Sequence, residues 1–406
     1  MHVYGFFNWK DKGKIMLKLN SWCPTVEDNV LQQIENACNH PALKCYVALM
    51  PDANFGYGIP IGSVIAAKNA VIPNCVGVDI GCGMQVVRLT MTKDQLTTER
   101  LKKILQVIRE TVPVGMKHND IPASDDWMPT SDIDLPIVDS QYQKALFQLG
   151  TLGGGNHFIE IQYDEEDNVW IMVHSGSRNL GYTVAKYYND KAKELNNRWL
   201  YGDLASQDLA FLPMGQPEYN EYICEMEYCK NFAENNRTMI INKCLYAFHA
   251  VFEGKYATGQ IVDNQVKVIE KLDVPHNYCS IENHHGHCLM IHRKGAILAR
   301  KGILGIIPGS QGTNSYITMG LGNRESFCSS SHGSGRRMGR KQARKELDIE
   351  AEKRKMDSKG ILHAIRHKDD LDEAPGAYKD IEEVMENQRD LTEIVHKLTP
   401  MAVVKG

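Results

Sequence analysis

The chain is 406 residues long, with 46 Lys and Arg against 50 Asp and Glu and a formal net charge of −4. That length allows a large core in one domain or two, the near-neutral charge gives no global sign of nucleic-acid binding, so such a role must rest on a local basic patch, and no apolar run approaches the ~20 residues needed to span a bilayer. Eleven irregularly spaced cysteines with no Cys-x-x-Cys pair argue against a zinc ribbon and read as reduced thiols of a cytoplasmic protein rather than a disulfide framework.

Residues 1–18 carry scattered lysines and no apolar h-region, so no signal peptide is expected. The spacing of Val26, Val30, Leu31, Ile34 and Ala37 predicts a helix over 25–39, closed by Pro41. A buried strand is expected at 45–50, then a loop over 50–58 by its Pro, Asn and Gly content. Strands at 62–67 and 86–89 flank Val76-Gly77-Val78-Asp79-Ile80-Gly81-Cys82-Gly83-Met84. This stretch sets a carboxylate and a thiol three residues apart in a turn that its glycines leave free to bend tightly. Asp79 and Cys82 could reach one metal ion, and that donor pair suits a borderline divalent transition ion. Taken alone, the stretch reads more simply as a turn with a solvated Asp and a buried Cys.

An amphipathic helix is predicted over 93–110 and a polar surface excursion over 120–136. Next, Thr151-Leu152-Gly153-Gly154-Gly155-Asn156-His157-Phe158-Ile159-Glu160-Ile161-Gln162 and Val169-Trp170-Ile171-Met172-Val173-His174-Ser175-Gly176-Ser177-Arg178, joined by a short acidic loop, read as a β-hairpin. Centring the loop between Glu165 and Glu166 sets His157 directly opposite His174 with Cβ atoms ~5 Å apart, where two imidazoles could serve one metal centre. From 180 to 271 helical periodicity dominates, most clearly over 218–252, and reads as a helical insertion on a β-rich core. Strands are expected at 288–292 and 296–299 around a turn Arg293-Lys294-Gly295, then at 303–307 and 315–318. Helices are predicted over 337–355 and 381–397, with a short apolar strand over 401–406. No internal repeat or clean domain boundary divides the chain, so 1–406 reads as one catalytic domain of the α+β class.

Most of the fifteen histidines need no special role. His284, His285 and His287 read as an exposed loop at a hairpin edge. His157 and His174 differ, because each sits where a strand meets a Gly/Ser-rich loop, the place where a rigid scaffold presents ligands. His276, after Val274-Pro275, is a third candidate. With a bridging Cys82 thiolate, five side chains could hold two ions: Asp79, Cys82 and His157 on one, and Cys82, His174 and His276 on the other. Three protein ligands per ion leave open positions, and the mix of sulfur, nitrogen and oxygen allows manganese, iron, cobalt or zinc.

The run Ser331-His332-Gly333-Ser334-Gly335-Arg336-Arg337 lets backbone amides approach a phosphate closely before it enters a predicted helix, whose N-terminus favours anions. Arg336, Arg337, Arg340, Lys341, Arg344 and Lys345 come in quick succession, either as a solvated helix face or as a phosphate site. An imidazole in such a nest could attack phosphorus and carry a nucleotidyl group as a phosphoramidate. Pro308-Gly309-Ser310-Gln311-Gly312-Thr313 is a second phosphate-friendly loop.

Together these motifs resemble the RtcB family of RNA ligases. The pieces are Gly77-Val78-Asp79-Ile80-Gly81-Cys82-Gly83, Leu152-Gly153-Gly154-Gly155-Asn156-His157-Phe158-Ile159-Glu160, His174-Ser175-Gly176-Ser177-Arg178, His276-Asn277, Arg293-Lys294-Gly295-Ala296, Pro308-Gly309-Ser310, Ser331-His332-Gly333-Ser334-Gly335-Arg336, Ala377-Tyr378-Lys379-Asp380 and Lys405-Gly406. The set spans most of the chain in family order. The resemblance implies an RtcB-type fold with a β-rich core holding a dinuclear metal site. It also implies a GTP- and manganese-dependent ligase that joins RNA 3′-phosphate or 2′,3′-cyclic phosphate ends to 5′-hydroxyl ends, in RNA repair or tRNA splicing, with an activator protein as a possible partner and no membrane. His332 would be the nucleophile that carries GMP. Asp79, Cys82, His157, His174 and His276 would bind two Mn2+ ions. Guanylate contacts would come from Asn156, Phe158, Glu160, Asn277, Pro308, Gly309, Ser310, Gln311, Ser315, Gly333, Ser334, Gly335, Tyr378 and Lys405. RNA or phosphate contacts would fall to Asp52, Asn54, Arg178, Arg336 and Arg340. Family members usually carry Pro-Asp-x-His where this chain has Pro51-Asp52-Ala53-Asn54, and loss of that imidazole would touch the sealing step. A dinuclear metal-dependent phosphodiesterase or phosphatase acting on RNA ends is the alternative reading. It would use the same five ligands without needing His332 or Lys405.

Overall fold

The computed structural model describes residues 18–199, 204–252 and 266–405, so residues 1–17 and Gly406 lie outside the described residues. The N-terminal half holds β1 (Lys18–Ser21), α1 (Asp28–Cys38), β2 (Leu43–Asn54), β3 (Ile61–Ala67), β4 (Ala70–Val71), β5 (Gly83–Thr92), α2 (Thr98–Thr111), α3 (Pro136–Gln148), β6 (Phe158–Tyr163), β7 (Asn168–Ser175) and α4 (Arg178–Arg198). The remainder holds β8 (Leu212–Pro213), α5 (Pro217–Phe252), β9 (Val268–Pro275), β10 (Asn277–His284), β11 (His287–Lys294), β12 (Ala296–Leu298), β13 (Leu304–Ile307), β14 (Ser315–Gly320) and β15 (Ser329–Ser331). It closes with α6 (Arg340–Glu346), α7 (Ile349–Asp357), α8 (Ile381–Glu386) and β16 (Thr392–Lys405). No helix among the described residues is long and apolar enough to cross a membrane.

The fold is mixed α+β, built on two large sheets beside two two-stranded ones, β12-β15 and β4-β8. One large sheet is five-stranded, in the order β1-β2-β3-β11-β10, and the other seven-stranded, in the order β13-β14-β16-β6-β7-β5-β9. The central strands β5, β6 and β7 of the seven-stranded sheet are buried on both faces, whereas β9 and the first half of β16 are partly exposed. On one face Val87, Leu89, Ile161, Ile171 and Val173 pack against Ile104 and Ile108 of α2 and Ile240, Cys244 and Phe248 of α5. On the other, Met84, Val86, Trp170 and Met172 meet Ile306, Ile317, Ile365 and Val384.

Four local expectations give way. The 50–58 loop is shorter than its composition suggests, because β2 runs on to Asn54. The turn between β11 and β12 is Gly295 alone, at φ +63°, where the chain leaves one sheet for another. The helix expected over 337–355 is two helices, since Asp348 caps the second by accepting from the Ala351 amide at 2.6 Å. The helix expected over 381–397 ends at Glu386. Beyond it the chain forms β16, fourteen residues long, lying between β14 and β6 in the seven-stranded sheet.

A buried ionic cluster ties β10 to β11. The Glu282 carboxylate accepts from Ser280 Oγ at 2.8 Å, Arg293 Nη2 at 3.2 Å, Arg300 Nη2 at 3.2 Å and His284 Nε2 at 3.0 Å. Burial works to raise the Glu282 carboxyl, but His284, Arg293 and Ser280 outweigh it and hold it well below the usual carboxylate range. Its contribution to stability is therefore complete above the unfolded-state value of ~4.3 and is lost as the pH falls below it. Glu282→Ala strands the fully buried Arg293 guanidinium and is expected to cost about 3–5 kcal/mol of unfolding free energy, measurable by urea denaturation at pH 7.

Candidate active site

Three neighbouring strands of the large sheet end together. Gly83, the first residue of β5, pairs with Ser175 of β7 on one side and Pro275 of β9 on the other. The residues beside these ends are Cys82, His174 and His276, so the topology brings a thiol and two imidazoles to one sheet edge. Cys82 is reached through a turn in which its amide donates to the Asp79 carbonyl at 3.1 Å and the Gly81 amide to the Asn277 carbonyl at 2.8 Å. Gly81 is needed there: it sits at φ +71°, and a Cβ would lie 2.7 Å from the Lys230 backbone of α5. From α5 the fully buried Arg237 holds the turn, donating to the Gly81 carbonyl at 2.8 Å and the Ser175 carbonyl at 3.0 Å while Asp273 neutralises it at 2.7 and 2.8 Å.

The β6–β7 hairpin forms with a register different from the one expected. Phe158, not His157, pairs with His174. The loop has three residues, Glu165 to Asp167, with Asp167 left-handed at φ +68°, and Asp164 Oδ1 accepts from the amides of Glu166 and Asn168. An odd loop shifts the pairing by one residue. His157 nevertheless meets His174, with ring centroids 5.1 Å apart, because it precedes the strand and is not bound by the pleat. Its Nδ1 donates to the Leu152 carbonyl at 2.9 Å, and that of His174 to the Asn156 carbonyl at 3.1 Å.

Those carbonyls fix the tautomer, so in the neutral rings both Nε2 atoms carry lone pairs. His157 Nε2 lies 3.4 Å from Cys82 Sγ and 3.1 Å from Asp79 Oδ2. His174 Nε2 lies 3.3 Å from the same sulfur and 3.4 Å from His276 Nε2. In the neutral ring His157 Nε2 faces Asp79 Oδ2 as acceptor against acceptor, a contact that a cation would satisfy. Two groups of three have ligand atoms all within 4.8 Å of one another, Asp79–Cys82–His157 and Cys82–His174–His276, and Cys82 belongs to both. Burial, and then the adjacent imidazoles, hold His174 and His276 well below the ordinary histidine range, so both stay neutral, as metal ligands must be. Burial and the Asp79 carboxylate push the Cys82 thiol well up. Each group offers three ligand atoms from which a metal ion could be held.

His332 comes directly after β15, which pairs Ser331 with Ala296. Gln388 anchors that strand, accepting from the Ser331 amide at 2.9 Å and donating to its hydroxyl at 2.6 Å. The His332 ring lies 4.8 Å from that of His276. Its Nδ1 donates to Asp52 Oδ2 at 2.6 Å, and its amide donates to the same oxygen at 3.1 Å. Asp52, expected as an RNA or phosphate contact, is thus the partner of His332.

Asp79, Cys82, His174, His276 and His332 line one cavity of about 540 Å3, with His157 behind them. Of the guanylate contacts implied by the resemblance, Asn156, Phe158, Asn277, Pro308, Gly309, Ser310, Gln311, Gly333, Ser334, Gly335, Tyr378 and Lys405 line it. Glu160 and Ser315 stand one layer behind, linked through Gln162, whose Nε2 donates to Glu160 and, at 3.0 Å, to Ser315 Oγ. Burial lifts the Glu160 carboxyl to about 8 against the pull of Gln162 and Lys405. Arg336, Arg340 and Asn54 line the cavity, whereas Arg178 turns away to Thr151 Oγ1 at 3.1 Å and the Gly115 carbonyl at 3.0 Å. The lining also holds residues that the sequence singled out for no role, Glu373 and Lys294 among them. Glu373 receives Arg336 Nη1 at 3.1 Å, Lys405 Nζ at 3.3 Å and the Tyr378 hydroxyl; it ends the acidic run 369–373, where nothing singles it out. Lys294 is buried, and burial brings its amine down to about 8.

A family model described as tRNA-splicing ligase RtcB matches residues 33–133 and 130–406. RNA-splicing ligase RtcB of Escherichia coli strain K12 is 38% identical over 399 residues, covering 94% of this chain and 95% of the relative. The tRNA-splicing ligase RtcB of Thermococcus kodakarensis is 31% identical over 452 residues, with 94% and 92% covered. RNA-splicing ligase RtcB of Mycobacterium tuberculosis strain H37Rv is 29% identical over 446 residues, with 92% and 100% covered. The matched span contains all five clustered ligand-type side chains, the His332–Asp52 pair and the phosphate-friendly loops, and the chain belongs to the RtcB family of RNA ligases.

Proposed function

We propose that the chain joins RNA 3′-phosphate or 2′,3′-cyclic phosphate ends to 5′-hydroxyl ends, with GTP as cosubstrate and two Mn2+ ions, by way of a histidine–GMP adduct on His332. The observation that carries this reading is the His332–Asp52 pair, set beside His276 at the cavity that Asp79, Cys82 and His174 also line. A dinuclear phosphodiesterase would use the same triads but would leave that pair without a task.

Asp52 holds the proton on Nδ1, which keeps Nε2 unprotonated for attack on the α-phosphorus of GTP. The new bond is Nε2–P, the bond to the bridging oxygen breaks, and pyrophosphate leaves. Asp52 then faces a positively charged ring and stabilises it. Water opens a cyclic phosphate to a 3′-phosphate. An oxygen of that phosphate attacks the GMP phosphorus and frees His332, giving an RNA-ppG end. The 5′-hydroxyl oxygen attacks the RNA phosphorus and loses its proton to water, the bond from that phosphorus to the bridging oxygen breaks, and GMP departs. Bound metal ions supply charge neutralisation at phosphate oxygens and a template for the reacting groups. Lys405, paired with Glu373, and the loops 308–311 and 333–335 would receive the guanylate.

The reading is tested by incubation with manganese and α-labelled GTP. Acid-labile label on the wild type, none on His332→Ala, and joining of a 3′-phosphate RNA to a 5′-hydroxyl RNA are expected. Joining without any protein-bound label would overturn the adduct. A second variant probes the triads separately. A Cβ on Gly176 would lie 2.3 Å from Asp79 Oδ1, so Gly176→Ala should displace Asp79 and lower bound manganese from two ions towards one per chain, read by elemental analysis after dialysis.

A further inference from the structure

Beside Asn54 the chain makes a short loop that departs from the usual burial of aromatic side chains. Phe55 is 56% exposed and Tyr57 57%, and both rings line the same cavity as His332, Cys82 and His174. Val78, 46% exposed, adds a third apolar side chain to that lining. Single exposed apolar residues are ordinary, but a cluster on one cavity marks a binding surface.

The loop's backbone, in contrast, is held. The Gly56 carbonyl accepts from Gln33 Nε2 at 2.7 Å, and its amide donates to Gln33 Oε1 at 3.3 Å. The Tyr57 carbonyl accepts from the Ile59 amide at 3.0 Å and from Lys294 Nζ, itself fixed by the Asn74 carbonyl at 2.9 Å. The turn is close enough that a Cβ on Gly56 would lie 2.4 Å from the Ile59 carbonyl oxygen. A backbone this constrained could have turned its rings inward, yet it presents both to solvent at the cavity.

We propose that Phe55 and Tyr57 form a stacking platform for the terminal nucleobase of a single-stranded RNA end entering the cavity. This rests on the ligase reading. Aromatic faces accept any base, while specificity for the strand comes from charge on its phosphates; Arg336 and Arg340 line the same cavity. An enzyme that must accept RNA ends of varied sequence gains from a base contact of this kind, because stacking holds the end without reading it.

The test uses short RNAs carrying 2-aminopurine as the terminal base, one with a 3′-phosphate end and one with a 5′-hydroxyl end, titrated with the manganese-loaded full chain. Stacking quenches the probe, and whichever RNA is quenched identifies the end that is bound. The Phe55→Ala/Tyr57→Ala double variant is expected to lose the quench and to bind that RNA roughly tenfold more weakly, with Phe55→Trp/Tyr57→Phe restoring both. Covalent labelling by GTP reports folding and should keep its KM for GTP. Equal quench and affinity in wild type and double variant would overturn the platform. A raised KM for GTP in the double variant would overturn it too, by assigning the rings to guanine. Failure of the wild type to join RNA would count against the ligase reading alone, since the quench is read without ligation.

Discussion

Cys82→Ala is expected to abolish metal loading and GMP labelling together, while Cys75→Ala does neither. Cys82 is the one side chain common to both ligand groups, and its sulfur lies 3.4 Å from His157 Nε2 and 3.3 Å from His174 Nε2. Removing it leaves Asp79 with His157 on one side and His174 with His276 on the other. Two ligands do not make a catalytic site for a transition ion, which takes three from the protein. No neighbour can substitute, because the turn is fixed by Arg237 from above and by the Asn277 carbonyl at Gly81. Cys75 lies seven residues earlier, fully buried among Ile59, Ile72 and Phe211. Its replacement should cost about 1 kcal/mol of stability and leave two ions bound. Elemental analysis of dialysed protein, with gel detection of labelled GMP, distinguishes the two variants. Retention of both ions by Cys82→Ala would remove the shared-thiolate arrangement.

The chemistry of the site was more legible in the sequence than its framework. Asp79, Cys82, His157, His174 and His276 could be selected by side-chain type and by their position at strand–loop junctions, which are local properties. What brings them together is not local. β7, β5 and β9 end at one level because of pairings between residues about ninety and two hundred positions apart, and no periodicity encodes that. The same limit explains β16. Thr392, Ile394 and Val395 favour a strand, but the preceding helix α8 and the spacing of apolar residues suggest helix continuing, and only the ladders with β14 and β6 decide the matter. The hairpin register failed for a smaller reason: one left-handed residue, Asp167, makes its loop odd. Lys405 and Glu373 show the complementary case. Lys405 reaches the cavity because β16 carries it beside Phe158, and Glu373 gains its importance only from the cations that converge on it.

Asp52→Asn should slow GMP transfer to His332 by roughly 10²–10⁴-fold while leaving both metal ions and the KM for GTP unchanged. Asp52 is fully buried on β2, far in sequence from His332, and its Oδ2 receives both the Nδ1 and the backbone amide of that residue. The approach depends on Gly335, at φ +69°, where a Cβ would stand 2.0 Å from the Asp52 carbonyl oxygen. Asparagine preserves the shape but removes the charge. Its amide nitrogen can donate to Nδ1, which would move the ring proton to Nε2 and block the attacking atom. Even with the amide oxygen turned towards Nδ1, the positively charged ring of the adduct loses its counter-charge. Neither change reaches GTP or the triads, so the loss should fall on kcat. A merely structural role would instead show as lower thermal stability and lower metal content. His332→Ala provides the limit, with no label and both ions retained. Labelling of Asp52→Asn at the wild-type rate would mean that Asp52 does not set the ring's protonation, and the adduct would then need another positioning group.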